Sequence, residues 1–168
     1  VLKQVFEELP LVAEDLGVIT SEVTALRTKF DLPGMKILQF AFDGSADNPY
    51  LPHNHEELSV VYTGTHDNNT TLGWYQDLSE EQQHLLRHYL GDSSEAIPAL
   101  LVRAALASVA RLAVIPLQDV LGLDGTHRMN VPGVAEGNWH WRFRWDQVQE
   151  EDINRLRDWI QLYGRKIY

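Results

Sequence analysis

Four short apolar runs, none alternating cleanly between polar and apolar residues, constrain this chain most. They cover residues 11–13, 35–42, 59–64 and 112–118. A strand with one wet face alternates, whereas a strand covered on both faces reads as a continuous apolar run. Helical patterns lie between and after these runs. Residues 20–30 place Val23, Leu26 and Phe30 on one face. Ser79-Glu80-Glu81-Gln82 is a capping box, opening a helix that buries Leu85, Leu86, Tyr89 and Leu90. Residues 94–111 are rich in Ala and Leu, and residues 150–163 space Ile153, Leu156, Trp159, Ile160 and Tyr163 for one helix face. Strands alternating with helices imply an α/β fold with a parallel sheet. A barrel of eight such units needs about 250 residues, so 168 residues with four strands fit half of one. A small doubly wound sheet is the alternative, but no Gly-rich phosphate fingerprint follows the first run.

Composition narrows the function. A formal charge of −10 argues against a nucleic-acid partner. The chain has no cysteine, so it has neither a disulfide framework nor thiolate chemistry, in keeping with a cytoplasmic protein. No apolar run reaches membrane-span length, since the stretch before Pro116 is broken by Arg111. The start, Val1-Leu2-Lys3-Gln4, lacks a leader pattern and an initiator Met and reads as the inside of a helix. A fragment of a longer protein is the expectation.

The ends of the runs carry the polar chemistry. Pro10-Leu11-Val12-Ala13 leads into Glu14-Asp15-Leu16-Gly17, as a strand does when it delivers an acid to a cleft. Taken alone, such a carboxylate more often caps the next helix. The third run ends in Thr63-Gly64-Thr65-His66-Asp67-Asn68-Asn69-Thr70-Thr71. That stretch is either an Asx-rich turn or a polar wall facing a hydroxyl-rich ligand. The fourth ends in Gln118-Asp119. Beyond it, Trp139 and Trp141 are core residues or, beside a cleft, platforms for sugar rings. His53-Asn54-His55-Glu56-Glu57 collects metal-ligand types, but a Pro- and Asn-rich connection fixes no coordination geometry, and a solvated loop is the better reading.

Three of these motifs, in order, resemble the 4-alpha-glucanotransferases of glycoside hydrolase family 77, the amylomaltases or disproportionating enzymes. They are Ala13-Glu14-Asp15-Leu16-Gly17, Thr63-Gly64-Thr65-His66-Asp67-Asn68, and Arg128-Met129-Asn130 continuing to Gly137-Asn138-Trp139-His140-Trp141-Arg142. The resemblance implies an α/β fold that is the C-terminal half of a TIM (β/α)8 barrel, with about four parallel strands and covering helices. Residues 1–168 would then be a single partial domain. It implies Glu14 as general acid/base and Asp67 as the carboxylate that grips the sugar and stabilises the transition state. His66, Asn68, Asn130 and Trp139 become substrate-binding residues. No metal or organic cofactor is implied, and the partner is a maltodextrin or another α-1,4-glucan.

Asn69 departs slightly from the family pattern. The larger departure is the family's nucleophile, an Asp in an Arg-x-Asp-His type motif, which does not occur in this sequence. Asp15 cannot replace it, because neighbouring strand residues point to opposite faces. The expectation is a chain that is inactive alone and completed by the N-terminal part of the same protein or by self-association. A non-catalytic carbohydrate-binding module is the alternative, which tight maltodextrin binding by the isolated monomer would favour. A metal-dependent hydrolase using His53, His55 and His66 would lose activity with chelator.

Overall fold

The computed structural model describes Val5, residues 10–91 and residues 93–165. The helical reading of residues 1–4 lies outside them. Three strands form one parallel sheet in the order β1-β2-β3: Gly34–Ile37, Ser59–Tyr62 and Leu112–Val114. Met35 pairs with Val60, and Val61 with Ala113. β2 is central, and Ser59, Val60 and Val61 are buried, as a doubly covered strand requires.

Six α-helices accompany the sheet among the described residues: α1 Ser21–Lys29, α2 Thr71–Asp77, α3 Glu80–Leu90, α4 Ile97–Ala107, α5 Leu117–Val120 and α6 Glu150–Leu162. β1 reaches β2 through loops with two single 3-10 turns, whereas β2 reaches β3 through α2, α3 and α4. α3 opens with the expected capping box: Ser79 Oγ accepts from Gln82 N at 3.3 Å, and Gln82 Oε1 accepts from Ser79 N at 3.1 Å. α4 buries Leu100, Leu101 and Ala105 into the main core with Leu38, Val61 and Leu86. Its Val102 and Leu106 face Trp159 of α6 in a second cluster. None of the helices among the described residues is long and apolar enough to cross a membrane.

The sheet differs from the expected four strands. Residues 11–13 form no strand; they run beside β1, and Ala13 N donates to Pro33 O at 2.9 Å. Leu11 and Val12 are 45% and 47% exposed, so this segment lacks the two-sided cover that its apolar character suggested. The run 35–42 is strand only to Ile37 and then coils into the 3-10 turn Leu38–Phe40. The run 112–118 ends as strand at Val114, and Gln118 and Asp119 sit in α5 instead of at a strand end.

Two helix faces also differ. In α1, Val23, Leu26 and Phe30 are exposed and the buried residue is Arg27. In α3, Leu86 is buried while Leu85 stays at the surface. Arg27 displaces the apolar stripe because its donors are met by Asp15, the Leu32 carbonyl and the exposed Glu56. A long guanidinium stem packs as well as a Leu once its donors are satisfied.

Candidate active site

The 10–19 segment carries Glu14 alongside the start of β1, held at the residues on either side of it. Before Glu14 lies the Ala13–Pro33 hydrogen bond. After it, Asp15 Oδ1 accepts from Met35 N at 2.7 Å and Asp15 Oδ2 pairs with Arg27 Nε at 3.2 Å. Asp15 therefore turns away from Glu14, as alternation along an extended chain requires. Gly34 makes the approach possible: a Cβ there would lie 2.3 Å from Asp15 Oδ2.

β2 delivers the second acid. After Tyr62 the chain enters a turn that Asn68 closes, its Oδ1 accepting from Thr65 N at 2.9 Å and Thr65 Oγ1 at 2.8 Å. Asn68 lines the cleft but spends its side-chain oxygen on this turn. Asp67, half-exposed, receives Asn130 Nδ2 on Oδ1 at 2.6 Å, and His66 Nε2 faces the same oxygen at 3.3 Å. Trp139 lies against His66 with ring centroids 5.1 Å apart. Its backbone is in the left-handed region at φ 64°, and its N–H donates to Met129 O at 2.8 Å.

The floor of the turn is buried. Asp119 Oδ2 accepts from Thr63 Oγ1 at 2.5 Å and Thr71 Oγ1 at 2.8 Å, and Oδ1 accepts from Thr71 N at 2.8 Å. That backbone N–H opens α2, where a carboxylate is favoured by the helix dipole. Burial raises the Asp119 carboxyl above its ordinary value of 3.8, against the hydrogen bonds from Thr63 and Thr71. Gln39 Nε2 donates to Asn69 O at 2.9 Å beneath Gly64, where a Cβ would meet that nitrogen at 2.6 Å.

Glu14, His66 and Asp67 line one open cavity of about 340 Å³ with Tyr62, Thr65 and Pro116. A second cavity, about 190 Å³, adjoins it on the far side of His66 and is lined by Asn68, Gln118 and Arg128. Five expected site residues thus cluster: Glu14, His66, Asp67 and Asn68 at the cavities, with Asn130 bonded to Asp67. Trp139 joins them through His66.

Arg128, Gln39, Asp119 and Arg27 were missed as supporting residues. Arg128 donates to Asp67 O through Nη2 at 2.5 Å and to Asn130 O through Nε at 2.7 Å. Its place beside Asn130 in Arg128-Met129-Asn130 was the available signal. Gln39, a polar residue inside an apolar run, was another.

The histidine-rich stretch is built into the fold. His53 Nδ1 meets Tyr89 OH at 2.8 Å, and His55 bridges Ser108 Oγ at 2.6 Å and Tyr50 O at 2.8 Å. Among the described residues no three His, Asp or Glu side chains stand together to hold a metal.

These features define an α/β protein that presents two acids to one cleft beyond the C-terminal ends of its parallel strands. The sequence model for 4-alpha-glucanotransferase matches residues 1–148. The chain belongs to that family, glycoside hydrolase family 77. A 4-alpha-glucanotransferase of Synechocystis is 53% identical over 99% of this chain and 33% of its own length. One from Thermus thermophilus is 51% identical over 93% of the chain and 33% of its own length. The structure of amylomaltase from Streptococcus agalactiae in complex with acarbose superposes with a TM-score of 0.94 at 33% identity, covering 98% of this chain and 34% of that one. The chain spans about a third of the length of the curated relatives it matches.

Proposed function

We propose that this chain is the C-terminal part of a 4-alpha-glucanotransferase that moves pieces of α-1,4-glucan between maltodextrins with retention. The observation that carries it is the shared cavity lined by Glu14 and Asp67. Residues 1–168 form one partial domain, the second half of a (β/α)8 barrel. Residues 11–13 stand in the place of a fourth strand, tied to the start of β1 by the Ala13–Pro33 bond. The other two-thirds of the protein completes the barrel and holds the nucleophilic Asp; self-association of the fragment is the lesser route. A cytoplasmic location belongs to the same proposal.

In this reading the nucleophile's carboxylate oxygen bonds to the anomeric carbon as the glycosidic C–O bond breaks, and Glu14 gives its proton to the leaving oxygen. Retaining carboxyls stand about 5–5.5 Å apart for this step. Glu14 serves first as acid and then as base, the exchange of roles that retention requires. Glu14 then takes the proton of an acceptor 4-hydroxyl, which attacks the anomeric carbon and releases the Asp. Asp67, aimed by Asn130 and His66, binds the sugar hydroxyls beside the charge that builds at the anomeric centre. Asn68 shapes the wall by closing the turn, and Trp139 offers an aromatic face next to His66. That the streptococcal relative was solved in complex with acarbose supports a carbohydrate as the ligand.

The test is maltotriose with the full-length protein. Glucose and longer maltodextrins are expected. Glu14→Gln should lower turnover at least ~10³-fold, within the range that general acid–base catalysis supplies. Unchanged turnover by that variant would defeat the assignment.

A further inference from the structure

We infer that the Asp15–Arg27 ion pair is the device that positions Glu14, a role distinct from the chemistry of Glu14 itself and resting on the reading of Glu14 as the acid. The flanks of Glu14 are weakly held: Leu11 and Val12 are about half exposed, Val18 is 98% exposed, and Gly17 adopts φ 88°. Packing does not aim this acid. Its neighbour does. Asp15 has a side chain only 16% exposed, and Arg27 is 9% exposed.

Asp15 is gripped on both oxygens, by the Met35 N–H and by Arg27 Nε. Arg27 is fixed in turn by Glu56 Oε2 at 3.2 Å and the Leu32 carbonyl at 3.1 Å. One guanidinium thus ties the Glu14 segment to α1, to the loop before β1 and to the loop before β2. Because successive extended residues point to opposite sides, locking Asp15 against β1 turns Glu14 to the cleft. Freeing Asp15 lets the segment rotate or slide, and displacing a catalytic group by about 1 Å costs on the order of 100-fold.

Two donors in the full-length protein separate positioning from general structural damage. Maltotriose needs a proton on its leaving oxygen. In α-maltosyl fluoride the C–F bond breaks to give fluoride, which departs with its electron pair and needs no proton from Glu14. Asp15→Asn and Arg27→Gln are expected to lower kcat on maltotriose on the order of 100-fold, with KM within about twofold. First-turnover fluoride release should fall about threefold or less, the nucleophile being intact. Arg27→Lys keeps a charge without the fork and should fall between; it serves where the stronger variants fold poorly.

Equal losses on both donors, or none, would overturn the positioning role. Glu14→Gln run in parallel keeps the two failures apart. If Glu14→Gln shows the selective loss and the Asp15 variant does not, only the clamp is wrong. If Glu14→Gln turns over maltotriose normally, the assignment of Glu14 itself is wrong.

Discussion

The two acids of the cleft are held in opposite ways. Glu14 rides on an edge segment that makes no ladder and is fixed by a buried ion pair reaching across to α1. Asp67 follows the central strand and stands on a turn whose floor is a buried carboxylate held by threonine donors. Above that floor, Asn130 and Arg128 reach in from a later loop. An edge acid that must wait for the rest of a sheet needs an internal brace. A central acid inherits rigidity from the strand and needs only aiming. Ion pairing fixes direction at the cost of desolvating both charges, so the brace around Glu14 serves geometry more than stability.

Removing the floor should have the largest effect on stability. Asp119→Ala strands Thr63 Oγ1, Thr71 Oγ1 and Thr71 N in the interior. The expected cost in the full-length protein is about 3 kcal/mol, read from denaturant midpoints at constant slope. Burial raises the Asp119 carboxyl, so the folded state holds its proton more tightly than the unfolded state does. The contribution of Asp119 is therefore largest at or below pH 3.8 and declines as pH rises through the folded-state value. The gap between wild type and variant should narrow over that window. A gap that widens with pH would mean that the threonine bonds outweigh burial.

Gly34→Ala attacks the other acid. Its Cβ would collide with Asp15 Oδ2 and push the carboxylate off Met35 N and Arg27. The expected cost is about 2 kcal/mol, as for other overpacked sites, with a loss of maltotriose turnover that tracks Asp15→Asn. A variant of full stability and full activity would show that the Glu14 segment is held by something other than Asp15.

The sequence conveyed one side of this comparison better than the other. β2 and its polar end were legible because a doubly covered strand and an abrupt polar stretch are both local patterns. The capping box at Ser79 and the outward turn of Asp15 were legible for the same reason: each depends on residues one to three positions apart. The brace was not. Arg27 lies on a helix whose Val23, Leu26 and Phe30 suggested an apolar core face, and its carboxylate partners, Asp15 and Glu56, are far from it along the chain. Asp119 read as part of a polar strand end, whereas it sits in α5 with its oxygens facing inward to two threonines. Side-chain identity shows that a carboxylate is present; only the tertiary fold shows which of several nearby donors takes it.

The smallest change in stability should come from Asn130→Ala, and it separates holding from aiming. Asn130 reaches Asp67 at an exposed contact, so its loss should leave stability within about 0.5 kcal/mol of wild type. Arg128 still holds the Asp67 backbone through the carbonyl, so the turn stays in place. What is lost is the donor that orients the carboxylate. A hydrogen bond to a charged group is worth about 1.5 kcal/mol, or about tenfold in kcat/KM. Because Asp67 acts on the sugar and not on the leaving oxygen, maltotriose and α-maltosyl fluoride should suffer alike, in contrast to the Asp15 variants. A loss confined to maltotriose would mean that Asn130 acts through Glu14, and the division between a braced edge acid and an aimed central acid would fail.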